Sequence, residues 1–386
     1  MIRYLLGKCA AGLASALVVI LAAGGASAAE TIKIGSFLAV TGGASFLGDP
    51  EKKTLEMYVA ELNAKGGIGG RQIELVLYDS GTDAKKAAGF VKRLINDDQV
   101  DIILGGTTTG ETMAVIPLVE KAGIPFISFG GAGVIVNPLK KWVFKTPHTD
   151  RLAVQKIYED IKAQGLSKVA LFAGSGGFDK SCRKNASELA GDYGMEIVAD
   201  ETHGKGDTDM TPQLTKIKNT AGVQALLYCG FGADAVVATR NYKQLGLTLP
   251  HYQSHGSASM RFVKGTEGAS EGMRLPAAAL LVAKQLPDSH PQKKLGLEFE
   301  AAYQGKYNEP ISTFGGHAYD GLMIAAAAIE RAGSTDKEKV RAEIEKTTNY
   351  IGVDGIYNMS AEDHLGLDTN SFVMVEIQNG GWKLLD

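Results

Sequence analysis

From residue 31 onward, short runs rich in Ile and Val alternate with longer stretches of helical periodicity, and the alternation runs through twice. In the first pass, residues 31–38, 73–78, 101–104 and 125–128 read as strands. Helical patterns near 52–64, 84–96 and 111–121 separate them. The pattern restarts after 145–150, with strands at 168–172, 196–201, 225–229 and 251–253 and helices near 181–193, 210–220 and 233–245. Strands joined by crossover helices build parallel sheets covered on both faces, so the expected fold is α/β with two doubly wound lobes. Ligands of such sheets bind in loops at the carboxyl ends of the strands.

The last third does not begin a third lobe. Residues 272–283 read as a connecting strand, 291–306, 317–331 and 337–347 as helices, and 372–377 and 382–385 as strands around a Gly-rich turn. These pieces are too few to close a core alone. They are expected to return to the first two lobes, which implies several crossings and a hinge.

The N-terminus bears on compartment. Arg3 and Lys8, an apolar run over 9–25, and Ala26, Ser27 and Ala28 form the pattern of a secretory signal peptide over 1–28. Cys9 stands at the start of the apolar run, which argues against a lipoprotein. The expectation is an exported chain in the periplasm with no membrane anchor. Loss of the leader takes the formal charge from −3 to −5, and no basic block interleaves with aromatics, so nucleic acid is not an expected partner. Beyond the leader only Cys182 and Cys229 remain. Cys229 ends a strand, and Cys182 follows the loop of the strand expected beside it. They are either neighbours joined by a disulfide or two structural thiols.

Catalytic signatures are weak. The run from Gly174 to Gly177 lacks the G-x-S-x-G spacing, Gly66 to Gly70 follows a helix rather than a strand, and the seven histidines show no zinc-site spacing. No enzyme activity, cofactor or metal is expected.

Several segments together resemble one family. They are 31–37 with Thr41, Gly42, Phe46, Leu47 and Gly48; 63–71, leading into 73–78 and Asp79; Thr107 to Gly110 with Thr112; 123–128; Gly315 to Asp320; and 352–357. The chain is similar to type I periplasmic substrate-binding proteins of ABC transporters, of the branched-chain amino-acid (leucine/isoleucine/valine-binding-like) type. Residues 253–256 and 312–317 look most like a branch that binds aromatic acids. The resemblance implies two lobes joined by a three-crossover hinge, with 29–147 plus 277–350 forming lobe 1 and 148–276 plus 351–386 forming lobe 2. It also implies a monomer without a cofactor that hands a small molecule to a membrane permease and its ATPases. A ligand-sensing module of the same fold is the alternative role.

Candidate ligand-binding residues follow from both readings. Thr107, Thr108 and Thr109 supply hydroxyls at a helix N-terminus, which suits a carboxylate, although one of them serves as N-cap. Ser128, Gly130, Gly131 and Ala132 form a loop whose backbone can approach a ligand. In the second lobe, Phe178, Phe231 and His255 stand where amino-acid-binding relatives carry two tyrosines and an acid. Without that acid an ammonium group lacks a counter-charge, unless Asp150 or Asp179 substitutes. An aromatic carboxylate without an amino group is therefore the favoured ligand, with branched-chain or other amino acids as the alternative. Phe46 and Phe314 are either apolar walls of the site or ordinary core.

Overall fold

The computed structural model describes residues 31–385, so the expected signal peptide lies outside the described residues. Lobe 1 opens with β1 (Ile32–Leu38), α1 (Ser45–Ala64), β2 (Ile73–Asp79), α2 (Ala84–Asn96), β3 (Ile102–Gly105), α3 (Thr109–Ala122), β4 (Phe126–Ser128) and β5 (Val143–Lys145). The five strands form one parallel sheet in the order β2-β1-β3-β4-β5. The chain then crosses into lobe 2 through α4 (Asp150–Ala163), β6 (Lys168–Ala173), α5 (Gly177–Tyr193), β7 (Glu196–Thr202), α6 (Thr211–Asn219), β8 (Ala225–Cys229), α7 (Gly232–Gln244), β9 (His251–Gln253), α8 (Met260–Gly265) and β10 (Arg274–Ala278).

A second crossing follows β10. Helices α9 (Lys293–Tyr307), α10 (Thr313–Ala332) and α11 (Lys337–Glu345), with the hairpin β11 (Tyr350–Ile351) and β12 (Ile356–Tyr357), return to lobe 1. A third crossing over 368–371 delivers β13 (Phe372–Gln378) and β14 (Gly381–Leu384) to the edge of the lobe 2 sheet. That sheet runs β14-β13-β10-β9-β8-β6-β7, parallel except at β13 and β14. Two α/β lobes are what the alternating pattern implied, and three crossings are what the family resemblance implied.

Three differences from the sequence reading have physical causes. Helix α1 starts at Ser45 and runs through Pro50, so Phe46, Leu47 and Gly48 belong to its first turn and not to a loop. Strand β5 and helix α4, unassigned in the sequence, bridge the first crossing; α4 buries Ala153, Val154, Ile157, Tyr158 and Ile161 at helical spacing. The boundary expected at 350/351 also moves. Val353, Tyr357, Met359, Leu365 and Leu367 are buried in the lobe 1 core, together with residues of α1, α9 and α10.

The crossings are pinned to one another. His148 in the first holds the carbonyl of Ser371 in the third at 3.0 Å and stacks on Phe372 with ring centroids 3.9 Å apart. The hydroxyl oxygen of Tyr357 lies 2.9 Å from Thr146 O and 3.0 Å from Asp320 Oδ2, within hydrogen-bond reach of both. Asp320 also accepts from the backbone N–H groups of Val353 and Asp354.

In lobe 2, Cys182 of α5 and Cys229 at the end of β8 form a disulfide across a sequence separation of 47. Closing a loop of that length stabilises by about 4 kcal/mol on the chain-entropy account. Thiol titration of the unreduced, denatured chain lacking residues 1–28 is expected to find no free thiol. Two thiols per chain would refute the bridge.

Candidate functional site

The loops at the carboxyl ends of the two sheets face each other across a tightly closed cavity of about 30 Å³. The β3–α3 loop contributes Thr107, Thr108 and Thr109 from lobe 1, and the loop after β4 contributes Phe129 and Gly131. Lobe 2 answers with Phe178 at the start of α5, Phe231 before α7, and His255 and Gly256 after β9. Phe178 meets Phe231 and His255 edge-on, with ring centroids 5.8 and 5.3 Å apart. Such edge-to-face packing fixes all three rings in one wall.

The three threonines have different tasks. Gly106, at φ +71°, turns the chain so that Thr107 points back into lobe 1. There the Thr107 hydroxyl accepts from Ala39 N at 3.0 Å and donates to Glu51. Burial pushes the Glu51 carboxyl well above the usual range, and the Thr107 bond opposes that only in part. Thr108 is the N-cap of α3 and forms a capping box with Glu111, its hydroxyl 3.2 Å from Glu111 N. The capping box leaves the N–H groups of Thr109 and Gly110 without intrahelical acceptors. Thr109 Oγ1 is itself buried with no hydrogen-bond partner among the described residues. Of the three hydroxyls, Thr109 alone is uncommitted.

Phe314, from the first turn of α10, also lines the chamber. Phe46 does not: it lies on a groove at the cleft rim, and its neighbour Leu47 faces the chamber instead. Ser128, Gly130 and Ala132 are off the wall as well. Ser128 Oγ lies 2.8 Å from Thr112 Oγ1 and accepts from Gly130 N, which ties the loop to α3. Asp150 is fully buried at the start of α4 and accepts from Gly133 N at 2.9 Å. Asp179 lines a second, outer cavity of about 330 Å³ that shares Thr108, Thr109, Phe178 and Phe231 with the chamber.

The lobes are closed on each other. A β-carbon on Gly131 would lie 3.1 Å from both His255 Nε2 and Phe178 Cε2, and one on Gly232 would lie 2.8 Å from Gly43 O. At the rim, Arg261 of α8 pairs with Asp49 of α1, and Lys53 reinforces Asp49 at 3.0 Å. A chamber with one face from each lobe, closed over a small volume, has the geometry of a two-lobed clamp.

The comparisons agree with that reading. The family described as "Periplasmic binding protein" matches residues 31–381. The chain belongs to the periplasmic binding protein family. The leucine-, isoleucine-, valine-, threonine-, and alanine-binding protein of Pseudomonas aeruginosa is 26% identical over 323 residues, spanning 83% of this chain and 84% of its own. An extracellular ligand-binding receptor from Rhodopseudomonas palustris HaA2 matches with TM-score 0.86 and 26% identity, over 92% of this chain and 100% of that one. LivJ of Streptococcus pneumoniae, a branched-chain amino acid transporter substrate binding protein solved in complex with isoleucine, gives 0.81 and 27%, over 92% and 99%. Like its relatives, this chain is a substrate-binding protein and not an enzyme.

Sequence reasoning did not place Leu47, Phe129, Pro147, Gly256 or His317 on the wall of this binding protein. His317 has the most consequence. It sits one turn after Phe314, and its Nδ1 is 2.5 Å from Asp354 Oδ2. Burial lowers the imidazole to about 3 and raises Asp354 well above the usual carboxylate range. Burial thus disfavours the charged form of both partners. No helix among the described residues is long and apolar enough to cross a membrane, and no cluster there is arranged to hold a metal ion.

Three variants test these assignments. Thr108→Val removes the N-cap and is expected to cost about 1 kcal/mol in urea unfolding, whereas Thr109→Val leaves stability within about 0.5 kcal/mol. Equal losses would contradict the division of tasks. Asp179 is held up to about 6 by burial, against the N–H of Gly176, which it caps at 2.9 Å. Its folded pKa lies above the unfolded value, so this group lowers stability as pH rises from about 4 to 6, by up to about 3 kcal/mol. Asp179→Asn is expected to unfold at higher urea than the parent at pH 7, with the difference gone near pH 4. A difference independent of pH would refute the assignment.

Proposed function

We propose that this chain is the extracytoplasmic receptor of an ABC importer, capturing a small carboxylate without an amino group and delivering it to a membrane permease served by ATPases. An aromatic acid such as a benzoate or a phenylpropanoid is the favoured cargo. In this reading residues 1–28 direct export to the periplasm, and the protein acts as a monomer with no cofactor.

One observation carries the ligand class: the chamber wall holds no Asp, Glu, Lys or Arg. An amino acid enclosed there would bring an ammonium group with no counter-charge, and an unpaired buried charge is costly. A carboxylate is better served. The Thr109 hydroxyl and the N–H groups of Thr109 and Gly110 supply donors at a positive helix end. Phe129, Phe178, Phe231 and Phe314 supply apolar walls for a ring. Capture then follows hinge closure. Ligand meets one lobe first, and contacts to the other lobe shift the equilibrium toward the closed form.

The second reading is an amino-acid cargo. Two observations favour it: relatives named for leucine, isoleucine and valine, and the unpartnered Oδ1 of Asp179 beside the chamber as a site for an ammonium group. A thermal-shift panel of benzoate, phenylacetate, 3-phenylpropionate, leucine, isoleucine and valine separates the two. At 100 times Kd a binder stabilises by about 2.7 kcal/mol. Shifts with the aromatic acids alone are expected; shifts with the amino acids alone would establish the second reading and refute the first.

A further inference from the structure

The chamber closes over a ligand without offering it a formal charge. If the cargo is a carboxylate, which rests on the proposed function, a compensating positive charge has to come from a group that changes its protonation. Only two titratable side chains stand on the wall, His255 from lobe 2 and His317 from lobe 1. They differ in one respect. His317 Nδ1 is bonded to Asp354, so any proton it gains is first available from that partner, without exchange with solvent. His255 Nδ1 is buried and has no hydrogen-bond partner among the described residues.

The surroundings of His255 hold it neutral in the empty chamber. Its ring lies edge-on to Phe178, and the ring of Phe372 is 5.5 Å away. Burial lowers its pKa first, followed by repulsion from His148 and Lys145 of the first crossing and His317 of α10; the His148 backbone opposes the shift. Lys145 is itself buried, donates to the carbonyls of Pro147 and His148, and is lowered to about 7 by desolvation, with Asp150 opposing. Behind His317 lie Asp354 and Asp320, both raised by burial. No carboxylate on the wall faces His255, so an arriving carboxylate would be its first anionic neighbour.

We infer that His255 takes up a proton as the ligand carboxylate is enclosed, so that lobe 2 supplies the counter-charge only in the closed, occupied state. The ligand's charge thereby works through the hinge. An anion gains a cationic partner on the opposite lobe, whereas a neutral compound of the same shape gains none.

Calorimetry tests this with benzoate, phenylacetate and 3-phenylpropionate, beside benzamide as a neutral isostere and leucine as a zwitterion. Each is titrated at pH 7 in two buffers of different ionisation enthalpy, and again between pH 6 and 8. The expected result is uptake of up to one proton with a bound acid, affinity falling by up to tenfold per pH unit as pH rises, and no proton movement with benzamide. His255→Gln is expected to abolish the uptake and weaken the acid at least tenfold, with benzamide affinity within about threefold; its thermal melt verifies folding. An aromatic acid that binds with no buffer or pH dependence overturns the proton uptake and leaves the ligand class standing. Binding of leucine with none of the aromatic acids overturns the ligand class and this inference together.

Discussion

A parallel sheet with crossover helices has a fixed polarity: every β-to-α loop emerges at the carboxyl ends of its strands. This chain winds two such sheets and turns those edges toward each other. Thr109 after β3, Gly131 after β4, Phe178 after β6, Phe231 after β8 and His255 after β9 all reach the chamber for that one topological reason. Phe314 and His317 arrive differently. They stand on α10, which enters lobe 1 only after the second crossing and lies across α1. The wall is thus built from these five winding loops, Leu47 of α1, Pro147 of the first crossing and one returning helix, and the two histidines come from separate sources.

Enclosure sets the chemistry of that wall. Inside a closed protein cavity a polar group without a partner is costly, and a charge more so. The chain meets this condition by spending most of its polar atoms locally. Thr107 serves Ala39 and Glu51, Thr108 caps α3, Ser128 binds Thr112, and Asp150 binds the Gly133 backbone. Two atoms of wall residues are left unspent, Thr109 Oγ1 and His255 Nδ1, and Asp179 Oδ1 is left unspent in the outer cavity. The two wall residues belong to opposite lobes, so a molecule bonded to both has to bridge them.

The sequence made the architecture legible because strand and helix periods are local signals. The crossing architecture also followed from the way the last third fails to start a new lobe. That one of the three threonines caps α3 was legible too. What separates the uncommitted threonine from the committed ones was not, because Thr107 is claimed by Glu51 across 56 positions. His317 escaped for a similar reason: its partner Asp354 lies 37 residues on, and a histidine inside a helical pattern gives no sign of facing a cavity. The lobe boundary failed at 351 because Val353, Tyr357 and Leu365 announce burial without saying in which core. Phe46 and Leu47 exchanged roles once Pro50 proved to lie inside α1 and not before it.

The third crossing has a consequence for how the chain acquires its structure. Strand β13 pairs along β10 from Arg274 to Ala278 and contributes Val375 and Ile377 to the lobe 2 core, so that lobe is incomplete until the last segment arrives. Lobe 1 waits in the same way for Leu322, Ile329 and Tyr357, some 300 residues after its first strand. Neither lobe is an autonomous N-terminal unit. Contacts this distant in sequence slow folding, because loop-closure entropy must be overcome before the core rewards it. A growing or truncated chain therefore holds two unfinished sheets, and the molecule commits to both lobes nearly together.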